Sequence, residues 1–359
     1  MRVVWTRGND KIRFNRPSTW FSLGLRGSGK SSLLEHVGMQ YLEKDTIIFD
    51  LFGSRDGEGL AWLRSPYAKE KRILLLRGEN VDVDSSFPVK QVDQVKLTDV
   101  EKYDIIISSS PLYLNIDQEF FGAATLTDLL WKRRHWKRLV YLIVREAANF
   151  YYSRLKVSQN QLFAKANMIY LLREARHVGI ALGIDSIRYY AIDIDIRNLA
   201  DYLILKSQGV QGLGSDIEWL YSFFNPSSVR SMKPEHFIII STRGALGLGY
   251  FPFHEWHKAE KENILKSVGV KVEYGEVVER AQDKGLYKSV GDREHTDIIE
   301  MYAGQNLGML TISNKLTRST RTISEHVKKH NQAVERSGFC ASCKRTTSAF
   351  FDKKAIRRK

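Results

Sequence analysis

Cysteine is nearly absent from this 359-residue chain: its two copies, Cys340 and Cys343, stand in a single CxxC near the C-terminus. One pair at that spacing cannot build the disulfide framework of a small secreted protein. Long apolar runs are missing too. No stretch approaches the roughly 20 residues that span a bilayer, and the opening MRVVWTRGNDKIRFNR carries charges where a signal peptide needs an apolar segment. The expectation is a cytoplasmic protein without a transmembrane segment. Acid is in deficit, with 41 Asp and Glu against 55 Lys and Arg and a net charge of +14. That sign favours a polyanionic partner, nucleic acid or an anionic membrane surface, over a neutral small molecule. Internal repeats and low-complexity tracts are also lacking. What is present, 43% hydrophobic and 27% charged residues, is a globular composition sized for one large or two modest domains.

The positive excess is unevenly placed. Residues 293–359 hold 14 Lys and Arg against 6 Asp and Glu, a surplus of eight and more than half of the whole chain's. A basic module therefore follows a better balanced body. Between about residues 18 and 252, short β-branched runs alternate with longer segments of helical period, the pattern of βαβ units around a mostly parallel sheet. Strands are expected at Trp20–Leu25, Thr46–Asp50, Ile73–Leu76, Asp104–Ser108, Leu139–Val144, Gly179–Ile184, Tyr202–Leu205 and Phe237–Ser241. Helices are expected at Ser31–Leu42, Gln118–Trp131 and Gln159–Arg176. The expected organisation is an α/β core over 1–258, a polar linker over 259–292, and a C-terminal module over 293–359 whose final KKAIRRK is a frayed basic tail.

Gly24-Leu25-Arg26-Gly27-Ser28-Gly29-Lys30-Ser31 fits G-x-x-x-x-G-K-[ST], follows an apolar strand and opens a helix, which is the context of a Walker A phosphate-binding loop. Glycines let the backbone curl so that N–H groups converge on phosphate oxygens, and the helix N-terminus adds partial positive charge. Gly24, Arg26, Gly27, Ser28, Gly29, Lys30, Ser31 and Ser32 are thus the expected ATP-binding set, with Lys30 on the β and γ phosphates and Ser31 on Mg²⁺. Hydrolysis also needs acids at the end of a second buried strand. The strand Lys137–Val144 runs into Arg145-Glu146-Ala147-Ala148, so Arg145 occupies the place of the usual Walker B aspartate and Glu146 is the acid at the tip. Two readings follow: Glu146 activates water while Ser31, with waters or another acid such as Asp50, holds Mg²⁺; or the site binds ATP without turning it over.

The loop, the strand ending in Glu146-Ala147, and the run Leu172-Arg173-Glu174-Ala175-Arg176-His177-Val178-Gly179-Ile180 together resemble the HerA/FtsK superfamily of DNA-pumping P-loop ATPases, including archaeal and virus-like members, over residues 18–250. The resemblance implies a RecA-like core, ATP and Mg²⁺ at subunit interfaces, and a ring, usually a hexamer, around double-stranded DNA or docked on a capsid, transfer or nuclease partner. It also implies that Arg173 or Arg176 reaches a neighbour's nucleotide as an arginine finger; favourable placement of cations at a helix C-terminus is the plainer reading. Two positions depart from the family pattern: Arg145, and Asp185-Ser186 after the strand Ala181–Ile184, where the family offers a glutamine. The cluster Lys132–Arg138, with Trp131 and Trp136, reads either as a solvated helix cap or as a phosphate-contacting patch.

Residues 296–336 read as three helices, Thr296–Ala303, Leu310–Leu316 and Thr320–Val334, with Ile312, Leu316, Ile323 and Val327 spaced to pack a helix-turn-helix. This resembles a winged-helix domain with a wing turning at Ser337-Gly338. Arg318, Ser319, Arg321 and Thr322 would start its recognition helix, and Lys328 and Lys329 would neutralise backbone phosphates. An oligomerising helical hairpin is the other reading. Cys340 and Cys343 are either ordinary reduced thiols, a redox pair, or half of a Zn²⁺ site completed by His326 and His330 at i, i+4. The functions that follow are an ATP-driven DNA motor for packaging, transfer or end processing, or an ATP-binding, non-hydrolysing DNA-binding switch. A metabolic P-loop kinase would leave the basic module without a purpose.

Overall fold

The computed structural model describes residues 1–53, 57–133, 137–152, 158–209, 213, 215–258, 268–272, 291–316, 318 and 320–350. The chain forms two compact units, Met1–Tyr274 and Gly275–Lys359.

In the first unit the strands are β1 (Arg2–Arg7), β2 (Thr19–Leu23), β3 (Ile47–Phe52), β4 (Ile73–Arg77), β5 (Val81–Val83), β6 (Val89–Gln91), β7 (Ile105–Ser108), β8 (Val140–Arg145), β9 (Ile180–Ser186), β10 (Tyr202–Leu205), β11 (His236–Ser241), β12 (Leu246–Tyr250) and β13 (Val270–Val272). Eleven of them form one sheet in the order β1-β12-β11-β10-β2-β9-β8-β3-β7-β4-β6. From β10 to β6 every pairing is parallel, and β11, β12 and β1 extend the sheet antiparallel. All eight strands expected from the sequence are present. Runs such as Ile-Ile-Phe-Asp-Leu-Phe in β3 and Val-Tyr-Leu-Ile-Val-Arg in β8 are buried along their whole length, as central parallel strands covered on both faces must be.

Helix Lys30–Leu42 lies against β2, β3, β8 and β9 and buries Leu33, Leu34, Val37 and Tyr41. Helices Ile116–Trp131 and Gln159–Glu174 pack on each other. Their starts are capped by Asn115, whose side chain accepts from the Gln118 amide, and Ser158, which accepts from that of Gln161. The expected 259–292 linker falls mostly outside the described residues. Within it Val270–Val272 is a strand, paired antiparallel with Val81–Val83, because its alternating Val-Lys-Val matches an edge ladder.

In the second unit the described residues form helix Asp292–Ile299, a π-helical turn Glu300–Gly304, and helices Met309–Leu316 and Thr320–Ser337. Ile298, Ile299, Ile312, Ile323, Val327 and Ala349 make its buried core, so the packing residues expected of the helical pair do meet. The wing does not form among the described residues. After Gly338, whose φ is +76°, residues 339–350 run as turns and irregular chain that bring Ala349 back onto the core.

Candidate functional site

Parallel strands all present their carboxyl ends at one edge of a sheet, where loops to the following helices leave room for a ligand. Here β2, β9, β8 and β3 are consecutive, and the segments leaving the first three wall a cleft of about 710 Å³. The Gly24–Ser31 loop closes one side. Its root is pinned by the Gly24 amide donating to the Ser186 carbonyl (3.2 Å) and the Leu25 amide to that of Ser207 (3.0 Å). Gly29 has φ +81°, and a Cβ there would sit 2.7 Å from the Pro234 carbonyl oxygen, so this position requires glycine both for its conformation and for the close approach. The helix then begins at Lys30, leaving first-turn N–H groups with no intrahelical partner. Lys30 folds back, its Nζ donating to the Leu25 carbonyl at 2.9 Å. Arg26, Gly27, Gly29, Lys30, Ser31 and Ser32 line the cleft; Gly24 and the buried Ser28 shape the turn behind it.

The opposite wall is acidic. Ser31 Oγ donates to Asp185 Oδ2 at 2.9 Å, and the Glu146 backbone N–H donates to Asp185 Oδ1. Asp185, 1% exposed at the end of β9, thereby joins the loop serine to the tip of β8. Glu146 follows β8 with φ +47°, a left-handed conformation that a non-glycine residue adopts at a cost, and its carboxylate accepts from Asn149 Nδ2 at 3.2 Å. Glu58 completes the wall; burial raises its carboxyl pKa, with Asp185 and Glu35 adding to the rise and Arg145 and a Ser31 hydrogen bond opposing it. Arg188, after β9, faces the same space. Cations and helix N–H groups on one side and hard oxygen donors on the other suit a nucleoside polyphosphate with Mg²⁺: Ser31, Asp185 and Glu58 are the donor set a small divalent ion prefers.

Two sequence expectations are corrected here. Asp50 is not a cleft acid. It is fully buried, and accepts from Arg145 Nε (2.7 Å), Arg145 Nη2 (2.6 Å) and Trp62 Nε1 (2.6 Å). Arg145 also pairs with the buried Glu35. Burial raises the Asp50 pKa while Arg145 pulls it down; burial would lower that of Arg145, but the two carboxylates hold it well above the usual arginine value. Arg145 is the last residue of β8 and its side chain points into the core, so it leaves the cleft open. Second, the strand-end acid that reaches Ser31 is Asp185, not Asp50. The sequence marks Asp185 only as an acid after an apolar run; Glu58 and Arg188 gave no comparable signal.

Arg173 and Arg176 lie at the other edge of the sheet. Arg176 Nη2 donates to Asp201 Oδ1 at 2.8 Å, while Asp201 Oδ2 accepts from the amide of Thr19, the first residue of β2. Both arginines border a hollow with Pro17, Ser18 and Thr19, so within one chain neither reaches the cleft. The described part of the 132–138 cluster is a structural cap: Lys132 pairs with Asp128, the buried Arg133 with Glu101, and Arg138 with Asp45 and Asp104.

In the second unit Arg318 is engaged by Glu294, donating from Nε (2.6 Å) and Nη2 (2.8 Å). Ser319 and the Arg321 side chain lie outside the described residues, Thr322 is half-buried, and Lys328 and Lys329 are exposed. Cys340 and Cys343 are free thiols. They meet His295 and His330; His326, the other histidine expected to join them, faces His295 across a 3.1 Å Nδ1–Nδ1 contact. Among the described residues no helix is long and apolar enough to cross a membrane.

No known protein-family profile matches the chain, and no curated protein matches it. Among solved structures, it is similar to the genome-packaging NTPase B204 of Sulfolobus turreted icosahedral virus 2 in complex with ATP-gammaS, at 16% identity and a TM-score of 0.39, over 66% of this chain and 98% of that one. It is also similar to the pCW3 conjugation coupling protein TcpA with ATPgS, at 16% identity and a TM-score of 0.40, over 74% of this chain and 69% of that one. A third is EccC (ATPases 2 and 3) of Thermomonospora curvata, at 13% identity and a TM-score of 0.39, over 70% and 42%. None of the three exceeds 16% identity or a TM-score of 0.40, and no function passes from them to this chain.

Proposed function

We propose that this protein is a P-loop ATPase that works on double-stranded DNA. The observation that carries the reading is the Ser31–Asp185 hydrogen bond, which sets the phosphate-loop hydroxyl, a strand-tip acid and Glu146 around one cleft. Arg26, Lys30 and the N–H groups of Gly27–Ser32 hold the triphosphate, and Ser31 with Asp185 holds Mg²⁺, which supplies charge neutralisation as negative charge shifts toward the leaving oxygen. Glu146 orients the attacking water and takes its proton. Arg173 and Arg176, remote from their own cleft, serve a neighbour's in a homo-oligomeric ring, with six members favoured. In the C-terminal module Arg321, Thr322, Lys328 and Lys329 contact duplex DNA, Arg318 acts through its pairing with Glu294, and the surplus of eight positive charges strengthens the grip. Genome packaging, plasmid transfer and end processing, with a capsid, transfer or nuclease partner, are the settings this design suits. The withdrawal of Arg145 from the cleft favours turnover over a non-hydrolysing switch.

Steady-state ATP turnover with and without duplex DNA tests the reading. DNA-stimulated turnover that falls by about a hundredfold or more in Lys30→Ala is expected, since that change removes a cation aimed at developing phosphate charge. ATP binding by calorimetry without turnover would leave the switch; no binding would remove both.

A further inference from the structure

Four side chains of the second unit converge. His295 leaves helix Asp292–Ile299, His330 leaves helix Thr320–Ser337, and Cys340 and Cys343 come from the returning chain beyond it. One ligand-type atom from each lies within 4.8 Å of all the others. Cys340 Sγ stands 3.4 Å from His295 Nε2, and Cys343 Sγ 3.3 Å from His330 Nδ1. A tetrahedral zinc ion with the usual sulfur and nitrogen bond lengths has ligand-to-ligand edges of about 3.3–3.8 Å.

We infer that this unit carries a structural zinc site with His295 Nε2, His330 Nδ1, Cys340 Sγ and Cys343 Sγ as its four ligands. The ring nitrogens left over are already occupied as a metal site needs. His330 Nε2 contacts the Thr347 carbonyl at 2.9 Å, which places its proton on Nε2 and leaves the Nδ1 lone pair for the metal. His295 Nδ1 contacts His326 Nδ1, which leaves its Nε2 free to ligate. His326 is therefore a supporting residue, and the i, i+4 histidine pair read from the sequence is replaced by one histidine from each of two helices. The turn holding the thiols is fixed by the Cys340 amide donating to the Arg345 carbonyl (2.8 Å) and the Lys344 amide to that of Cys340 (2.7 Å).

Burial adds a reason for the metal. His295 is 5% exposed, His330 0% and Cys340 4%. Among the described residues the apolar core of this unit comprises six buried residues, a small core that a metal crosslink would reinforce. A zinc ion ties the first helix, the last helix and the returning chain at one point. Two S–H protons leave to solvent as the thiolates bind, and nothing is oxidised or reduced. Thiolate with imidazole selects zinc over hard cations such as Mg²⁺. The inference does not rest on the ATPase reading.

The full chain, stripped with a strong chelator and titrated with Co²⁺, tests it. One equivalent should give the intense visible bands of a tetrahedral thiolate–imidazole site, Zn²⁺ should displace it, and the untreated protein should contain close to one zinc by elemental analysis. Cys340→Ser and His295→Ala should each weaken uptake by at least about a hundredfold, whereas His326→Ala should cost no more than about tenfold to a hundredfold, as for a supporting residue. Absence of the tetrahedral spectrum in the wild-type chain overturns the site irrespective of how the variants fold. So does a resting protein whose mass shows an intramolecular disulfide. Loss of uptake in His326→Ala with retention in His295→Ala overturns the ligand set.

Discussion

Around Arg145, Asp50 and Glu35 form a closed cluster: two carboxylates, one guanidinium, all inside the core, with Trp62 donating a further hydrogen bond to Asp50. Around Ser31, Asp185, Glu146 and Glu58 form an open one, three acids facing a cleft, with the Ser31 hydroxyl and the Glu146 backbone N–H on Asp185. Both occupy the carboxyl edge of the same sheet, and Arg145 Nη1 approaches Glu58 Oε1 at 3.8 Å, so they nearly touch. Their difference shows that two acids at the same sheet edge are set apart by what already neutralises each, and under the proposed function only Asp185 is left to serve Mg²⁺. Asp50 is buried with a cation that cannot lose its proton, whereas among the described residues the groups hydrogen-bonded to Asp185 are the Ser31 hydroxyl and the Glu146 N–H.

Breaking the closed cluster has the largest expected effect. Arg145→Ala leaves Asp50 and Glu35 buried without their counter-charge and should destabilise the first unit by about 3–5 kcal/mol, read as a lower urea midpoint. Arg145→Met with Asp50→Asn and Glu35→Leu removes all three charges, keeps an acceptor for Trp62, and should recover most of that loss. If Arg145→Ala unfolds no earlier than the wild type, the cluster is not the internal brace described here.

The open cluster should respond in the opposite sense. Asp185→Asn keeps one oxygen to accept a hydrogen bond and should change stability by no more than about 1–2 kcal/mol. Turnover, by contrast, should fall about a hundredfold, equivalent to roughly 2.7 kcal/mol of barrier. Asp50→Asn should cost stability first, with turnover per folded molecule nearly intact. The pair sharpens the comparison: equal losses of turnover in folded Asp50→Asn and Asp185→Asn would mean that the two acids share one role.

Much of this architecture is legible in the sequence. Buried parallel strands write themselves as continuous β-branched runs, and β2, β3, β8 and β9 were found that way, as was the Gly24–Ser31 loop from its own spacing. The edge strand β1 and its neighbour β12 were not, since charges in one and two glycines in the other mask the alternation that marks a strand. Strand order explains the misassigned acid. Asp50 and Asp185 look alike in sequence, each following an apolar run, and only the placement of β9 beside β2 puts Asp185 against Ser31. Likewise His326 and His330 are a natural metal pair by spacing, but tertiary packing brings His295 to the cysteines.

A third charge cluster, at the opposite edge of the sheet, gives the smallest effect and a sign that separates it from the closed one. Asp104, just before β7, accepts from the Arg72 amide (3.0 Å), from Arg72 Nε and Nη2 (both 3.1 Å), and from Arg138 Nη2 (2.9 Å). Burial pushes its carboxyl up, but the hydrogen bonds from Arg72 and Arg138 outweigh this and hold it at about 2, against an ordinary value of 3.8. A carboxylate whose folded pKa is depressed stabilises the fold fully above its ordinary value and loses that contribution as pH falls through the folded one. The loss should therefore run between pH 4 and 2. Because the Arg72 side chain is 59% exposed, solvent screening limits the amount to about 0.5–1 kcal/mol, and added salt should shrink it further. Urea unfolding of wild type and Asp104→Asn across this range should give a stability gap that is constant above pH 5 and closes by pH 2; a gap that persists at pH 2 would mean that Asp104 acts through packing and hydrogen-bond geometry instead of charge.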